Sequence, residues 1–259
     1  MSQADCVELT LGPQGVAQIV VNRPQQHNAM SMPMYGALLA HLQRCAQEPS
    51  VRAVLFKGTG GKSFISGTDI SHFADFESGE QGLRYEAHVE EVVGAVERLG
   101  VPTIAVVQGW AVGGGLAIAT ACDFRLCSEG SQFGAPIAKT LSNTLSARNI
   151  ARLVAAFGVP RVKRMLMLAE YLSAPEALAC GYVLQVCEGA QLDDAAQALA
   201  QRLIGLSSVT QMAVKESLRR LVQEHSLADD DLVQQVYGSQ AFRDGVARFN
   251  GAAGRSRRP

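Results

Sequence analysis

Residues 108–116 read Gln108-Gly109-Trp110-Ala111-Val112-Gly113-Gly114-Gly115-Leu116. Pro102 to Val107 (Pro-Thr-Ile-Ala-Val-Val) stands before them, a continuous apolar run of strand length that reads as a buried strand. The three glycines open a helix expected over Leu116 to Ala121, and Asp123 to Cys127 is the next strand. One round earlier the order is the same. Val51 to Phe56 is strand-like, Lys57 to Thr68 is a turn-rich loop holding Gly58, Gly60, Gly61 and Gly67, and a helix follows over Leu83 to Leu99. Strand, glycine loop and helix therefore alternate, which is the pattern of an α/β protein.

The rest of the chain fits around these two rounds. Val7 to Leu11 and Val16 to Val21 are β-rich runs separated by Gly12-Pro13-Gln14-Gly15, a hairpin signal. A helix is expected over Met32 to Gln47, with Ser31 as its cap and Pro33 in its first turn. From about Ser142 the chain reads as mostly helical, near Ala147–Phe157, Arg161–Leu168, Pro175–Cys180, Asp193–Leu203, Thr210–Gln223 and Ala228–Tyr237. Gly158, Pro160, Pro175 and Gly181 punctuate it. No linker marks a second domain. Residues 1–190 are expected to form the core and 191–259 a helical region of the same unit.

Bulk properties narrow the function classes. The 259 residues are 47% hydrophobic and 18% charged, enough apolar material for a sizeable core. The net charge is −1, so no general attraction to nucleic acid or an anionic membrane is expected. The basic cluster from Arg255 to Arg258 reads as a solvated terminus. Cys6, Cys45, Cys122, Cys127, Cys180 and Cys187 form no Cys-x-x-Cys pair, and the histidines do not group at ligand spacing, so no metal is expected. Neither a signal peptide nor a membrane span is visible, and a reduced cytoplasmic setting follows.

The glycine loops carry the chemistry. The first N–H groups of a helix lack intrahelical partners and lie at the positive end of its dipole. Glycine there lets a ligand approach the backbone closely. Such a start suits a phosphate, a developing oxyanion, or simply tight packing. It is not a P-loop, because no Lys-Ser/Thr follows, and it is not Gly-x-Gly-x-x-Gly. The second loop, Lys62-Ser63-Phe64-Ile65-Ser66-Gly67-Thr68-Asp69-Ile70, adds discrimination.

Taken together the loops resemble the crotonase superfamily, the enoyl-CoA hydratase/isomerase family. The resemblance runs over nearly the whole chain. Asn22-Arg23-Pro24 with Asn28-Ala29-Met30 looks like that family's opening strand and turn, and Phe64 to Ile70 like its Phe-x-Ala/Ser-Gly-x-Asp-Ile loop. Gly109 to Asp123 looks like its Gly-x-x-x-Gly-Gly-Gly helix start, and Ser239 to Phe249 like its C-terminal helix. The resemblance implies a spiral of ββα units with a C-terminal helical trimerisation region, and a homotrimer or a dimer of trimers. It implies an acyl-CoA substrate, with coenzyme A present only as part of the thioester and no further cofactor. Ser66 and Gly114 would supply the oxyanion-hole N–H groups. Gln26, Asn28, Lys62, Ser66, Asp69 and Ile70 would lie against coenzyme A, with Asp69 alternatively fixing its loop.

The sequence departs from that pattern at two positions. A standard hydratase of the family carries two glutamates, at positions that here are Ala117 and Ile137. Neither side chain transfers a proton, a service worth roughly 10²–10⁴ in rate. Members of the 4-chlorobenzoyl-CoA dehalogenase type work from other positions, which here fall on Glu90 and Asn143. Glu90 is thus a candidate acid or base, or else a surface residue beside Glu91. Asn143 is a candidate for orienting water or an acyl substituent. His72 follows the loop and is a further candidate, histidine being a common acid–base residue type, and Trp110 is expected beside the acyl pocket or the core. The expected function is an acyl-CoA-processing lyase or isomerase with non-standard proton transfer; the alternative is an acyl-CoA-binding pseudoenzyme or assembly subunit.

Overall fold

A computed structural model describes residues 6–255, with the backbone alone for Cys6 and 251–255. The side chains of the basic tail, Arg255 to Arg258, lie outside the described residues. The chain opens with a hairpin, β1 (Cys6–Leu11) and β2 (Val16–Asn22), paired antiparallel. Helix α1 (Met32–Gln47) begins after Ser31, with Pro33 in its first turn as expected.

Three ββα rounds follow. The first is β3 (Ala53–Gly58), β4 (Ser63–Ile65) and α2 (Gly79–Glu97). The second is β5 (Thr103–Val107), β6 (Trp110–Val112) and α3 (Gly114–Ala121). The third is β7 (Phe124–Ser128), β8 (Gln132–Gly134) and α4 (Ala147–Met167). The first strand of each round joins one sheet and the second joins another. Short elements β9 (Leu172–Ser173), α5 (Ala174–Ala179) and β10 (Gln185–Cys187) complete the sheets. Their orders are β1-β2-β3-β5-β7-β10 and β4-β6-β8-β9. Every pairing among β2, β3, β5, β7 and β10 is parallel. This is the spiral of ββα units that the motifs imply. It ends in helices α6 (Leu192–Ile204), α7 (Ser208–Arg219), α8 (Asp230–Tyr237) and α9 (Gln240–Arg255).

The apolar runs read as buried strands because both of their faces are covered. Side chains alternate along a strand. Ala53, Leu55, Ile104, Val106 and Leu126 point to α6, where Leu192, Ala196, Ala200 and Leu203 meet them. Val54, Phe56, Ala105, Val107 and Cys127 point the other way, into the core shared with α1, α2 and α3. That second layer is what holds the glycine loops in place.

One helix start differs from the sequence expectation. Helix α2 starts at Gly79 rather than Leu83, because Ser78 and Gln81 form a reciprocal capping box. The expected pair 147–157 and 161–168 is found as two helical stretches joined at Gly158, whose φ 74° and ψ 155° are not helical, with Pro160 just beyond the break.

Candidate active site

Strands β4 and β6 are parallel neighbours, with Ser63 opposite Trp110 and Ile65 opposite Ala111. The segments that leave their C-terminal ends, Ser66-Gly67-Thr68 and Gly113-Gly114-Gly115, are therefore side by side. The contact is too close for side chains. A Cβ on Gly115 would overlap the Ile65 carbonyl oxygen, and one on Gly67 would sit 3.3 Å from the Val112 oxygen. Gly67 has φ 109°, and Gly113 has φ 53° with ψ −117°. Both lie in left-handed territory that glycine occupies without strain. The Gly113 N–H donates to the Gly134 carbonyl at 3.0 Å. Among the described residues, neither the Ser66 N–H nor the Gly114 N–H enters the loop, turn and cap hydrogen bonds of this region. Gly114 is the first residue of α3, where an N–H has no intrahelical acceptor. Met30 fastens the first loop from behind. Its N–H donates to Gly67 at 2.8 Å and its carbonyl accepts from Asp69 at 2.9 Å.

Three hydroxyls line the same place. Tyr35 and Thr68 are 2.9 Å apart, and Thr68 and Tyr85 are 2.6 Å apart. A Cβ on Gly114 would overlap the Tyr35 hydroxyl, so that oxygen lies directly against the helix start. Burial pushes the Tyr85 phenol up to about 12, and the fully buried Tyr35 is raised further, first by burial and then by Tyr85. Both phenols are neutral at physiological pH and serve as hydrogen-bond groups.

Glu86, beside Tyr85 on α2, was not singled out in the sequence. Its Oε2 accepts the Ser146 N–H at 2.7 Å. Among the described residues Oε1 takes no hydrogen bond, and the carboxyl has no cationic partner. Burial raises its pKa; the Ser146 N–H opposes this, and the negative charge of Glu90 adds to the rise. Its charge in turn bears on both Tyr35 and Tyr85. The available signal was its place one helical turn before Glu90, on the same face.

The residues named from sequence fall into three groups. Ser66, Gly114, Asp69 and Ile70 are at or beside the two loops. Ile70 is 67% exposed, as an outward contact requires. Asp69 is held to about 2 by its bond to Arg23 and by Ser71, so it is an ionised loop clamp and not a proton carrier. Gln26 and Lys62 are exposed near the opening of the loops.

A second group is engaged elsewhere. Asn28 was expected against coenzyme A, but it is 0% exposed. Its Oδ1 accepts the Arg23 N–H, and its Nδ2 donates to the Thr59 and Ser63 carbonyls at 2.9 and 2.7 Å. Both amide hydrogens are thereby used and the oxygen is engaged, so the side chain is a clamp for the β2 and β3 turns. Glu90 is neither a free acid nor a surface residue. Both of its oxygens receive the Arg152 guanidinium at 2.7 Å, and Arg152 also grips Glu97.

The remaining residues lie apart from one another. Asn143 is exposed on the segment between β8 and α4. Trp110 is 40% exposed and packs edge-on against Tyr171 rather than into the core. His72 sits among Phe73, Phe76 and Tyr85 as an aromatic packing residue. Ala117 is buried, and Ile137 packs against the same core.

Known proteins are similar to this chain in sequence and fold. Residues 12–251 match the family described as Enoyl-CoA hydratase/isomerase. A short-chain-enoyl-CoA hydratase from Clostridium acetobutylicum is 31% identical over 238 residues, covering 90% of each chain. An (E)-benzylidenesuccinyl-CoA hydratase from Thauera aromatica is 30% identical over 208 residues, covering 78% of each. Among solved structures, an enoyl-CoA hydratase/carnithine racemase from Magnetospirillum magneticum superposes with a TM-score of 0.86 at 26% identity, covering 96% of this chain and 94% of that one.

Proposed function

The chain belongs to the enoyl-CoA hydratase/isomerase family, and from that premise we propose that the Ser66 and Gly114 N–H groups hold the carbonyl oxygen of an acyl-CoA thioester while it gains negative charge. The observation that carries this reading is the contact of the two loops, with the Ile65 carbonyl against Gly115 and Gly67 against Val112. It sets the loops that carry Ser66 and Gly114 side by side, which supports the reading. Fixed dipoles need no reorganisation as charge develops, and one such donor is worth about 10²–10³ in rate. Removing a proton beside the thioester, or adding a nucleophile to it, places charge on that same oxygen.

The chemistry beyond the carbonyl differs from two-glutamate hydration, because Ala117 and Ile137 offer no proton. The reading is therefore an acyl-CoA lyase or isomerase whose proton-transfer group lies elsewhere. A panel of 2-enoyl-, 3-enoyl- and malonyl-type CoA thioesters tests it. Turnover, or deuterium uptake at the α carbon, is expected with at least one class. Binding of every thioester with neither turnover nor uptake would favour a binding subunit instead. That alternative gains further if hydratase activity appears only in the double variant Ala117→Glu, Ile137→Glu.

The C-terminal helices are proposed to carry contacts between subunits. They expose Val214, Leu218, Val233, Tyr237 and Phe242, and exposed apolar side chains of this kind can mark an interface. Light scattering should give the mass of three or six chains. A mass of one chain at micromolar concentration would contradict it.

A further inference from the structure

Ionisable side chains near the loops separate clearly by what they already bind. Asp69 is tied to Arg23, Glu90 and Glu97 to Arg152, and Asp123 to Lys215 at 2.8 Å. Each of these carboxylates is held by a cation. Glu86 differs in having no cationic partner among the described residues; one oxygen is anchored by the Ser146 N–H, and the other takes no hydrogen bond among them. It is half-buried on α2, and its charge bears on Tyr85 and Tyr35, the two phenols of the Tyr85–Thr68–Tyr35 hydroxyl chain that ends against Gly114.

We propose that Glu86 is the catalytic acid–base of this site, removing a proton from the acyl chain next to the thioester carbonyl and returning it. This rests on the reading of Ser66 and Gly114 as the carbonyl's donors. In the step the Cα–H bond breaks and an O–H bond forms on Glu86 Oε1. The C–H electron pair moves into the C–C–O system and the negative charge comes to rest on the oxygen between the two N–H groups. With a 3-enoyl thioester the acid then returns the proton to Cγ, the double bond moves into conjugation, and Glu86 is again a carboxylate. No water, metal or second carboxyl enters the balance, which suits a site where Ala117 and Ile137 are apolar. A single carboxyl that acts as base and then as acid works best with a pKa lifted toward the working pH, and burial and Glu90 lift this one.

The groups facing Glu86 are Tyr35 from α1, Tyr85 and Glu90 from α2, and Ser146 at the start of α4, whose Arg152 neutralises Glu90. The two phenols stay neutral below pH 10, because both are raised above their ordinary value. Glu90 is paired with Arg152, so Glu86 is the carboxylate of this set without a cationic partner.

The test is α-proton exchange of 3-hexenoyl-CoA in D₂O, followed by mass spectrometry, with product formation read in parallel. Glu86→Gln keeps a carbonyl acceptor for the Ser146 N–H, so the fold is preserved. It should slow exchange by about 10²-fold or more while leaving thioester affinity within about threefold. In the parent the rate should rise with pH through one ionisation, and that ionisation should vanish in Glu86→Gln. Exchange in Glu86→Gln within threefold of the parent overturns the proposal. If deleting the Gly114 N–H still abolishes exchange in that case, the reading of the carbonyl site survives and Glu86 alone is rejected. If the parent neither exchanges nor converts the thioester, both readings fall.

Discussion

Deleting the Gly114 N–H is expected to lower turnover of the best thioester by about 10²–10³, with a much smaller change in its affinity. The variant must be built with care. Any side chain at this position meets the Tyr35 hydroxyl, so Gly114→Pro alone would combine a lost donor with a steric clash. The informative pair is Gly114→Ala with Tyr35→Phe, and Gly114→Pro with Tyr35→Phe. Phenylalanine removes the oxygen that the new Cβ would strike. Proline is tolerated at the first position of a helix, where its missing N–H breaks no intrahelical bond. The alanine pair keeps the donor and the proline pair lacks it, so their ratio isolates the N–H. Equal rates in the two would remove Gly114 from the mechanism. An effect confined to affinity would show that the donor holds the ground state as strongly as the transition state.

The second large effect is on stability. Arg152 is 4% exposed, and its guanidinium joins Glu90 and Glu97 of α2 to Asn149 of its own helix. It clamps α2 to α4. Arg152→Met leaves two carboxylates largely out of water with no counter-charge. Removing one partner of a buried pair costs about 3–5 kcal/mol, and the urea midpoint should fall accordingly. The triple variant Arg152→Met, Glu90→Gln, Glu97→Gln should recover most of the loss, because no uncompensated charge remains. A single variant within about 1 kcal/mol of the parent, the ordinary range for surface pairs, would contradict the clamp. The same clamp fixes the distance from Glu86 on α2 to Ser146 at the start of α4. A loosened clamp should therefore impair catalysis before the protein unfolds.

Much of this architecture is legible in the residues. Met32–Gln47 reads correctly as a helix because Ser31 and Pro33 mark its start. The buried strands β3, β5 and β7 read as apolar runs because α6 covers one face and the inner core the other. The strands β4, β6 and β8 are not legible, since three residues are too few to show alternation. They exist because each is paired by the next turn of the spiral. Those short strands are also what brings Ser66 to Gly114, so the glycines announce the site while its assembly is tertiary. The carboxylates show the same limit. Glu86 and Glu90 lie one turn apart on α2 and look equivalent in sequence. Arg152, 62 residues beyond Glu90, captures one and leaves the other. No local pattern encodes that choice. Asn28 sits in a turn that resembles a ligand contact, yet the carbonyls of Thr59 and Ser63 claim its amide.

The central claim is that two main-chain N–H groups polarise a thioester carbonyl, and vibrational spectroscopy tests it without requiring turnover. An acyl-CoA labelled with ¹³C at the thioester carbon gives an isolated carbonyl stretch in an isotope difference spectrum. Bound to the parent protein, that stretch should move to lower frequency than in water, and it should return toward the solution value in Gly114→Pro with Tyr35→Phe but not in Gly114→Ala with Tyr35→Phe. A bound thioester whose carbonyl stretch matches its value in water, and is the same in both variants, would contradict the account.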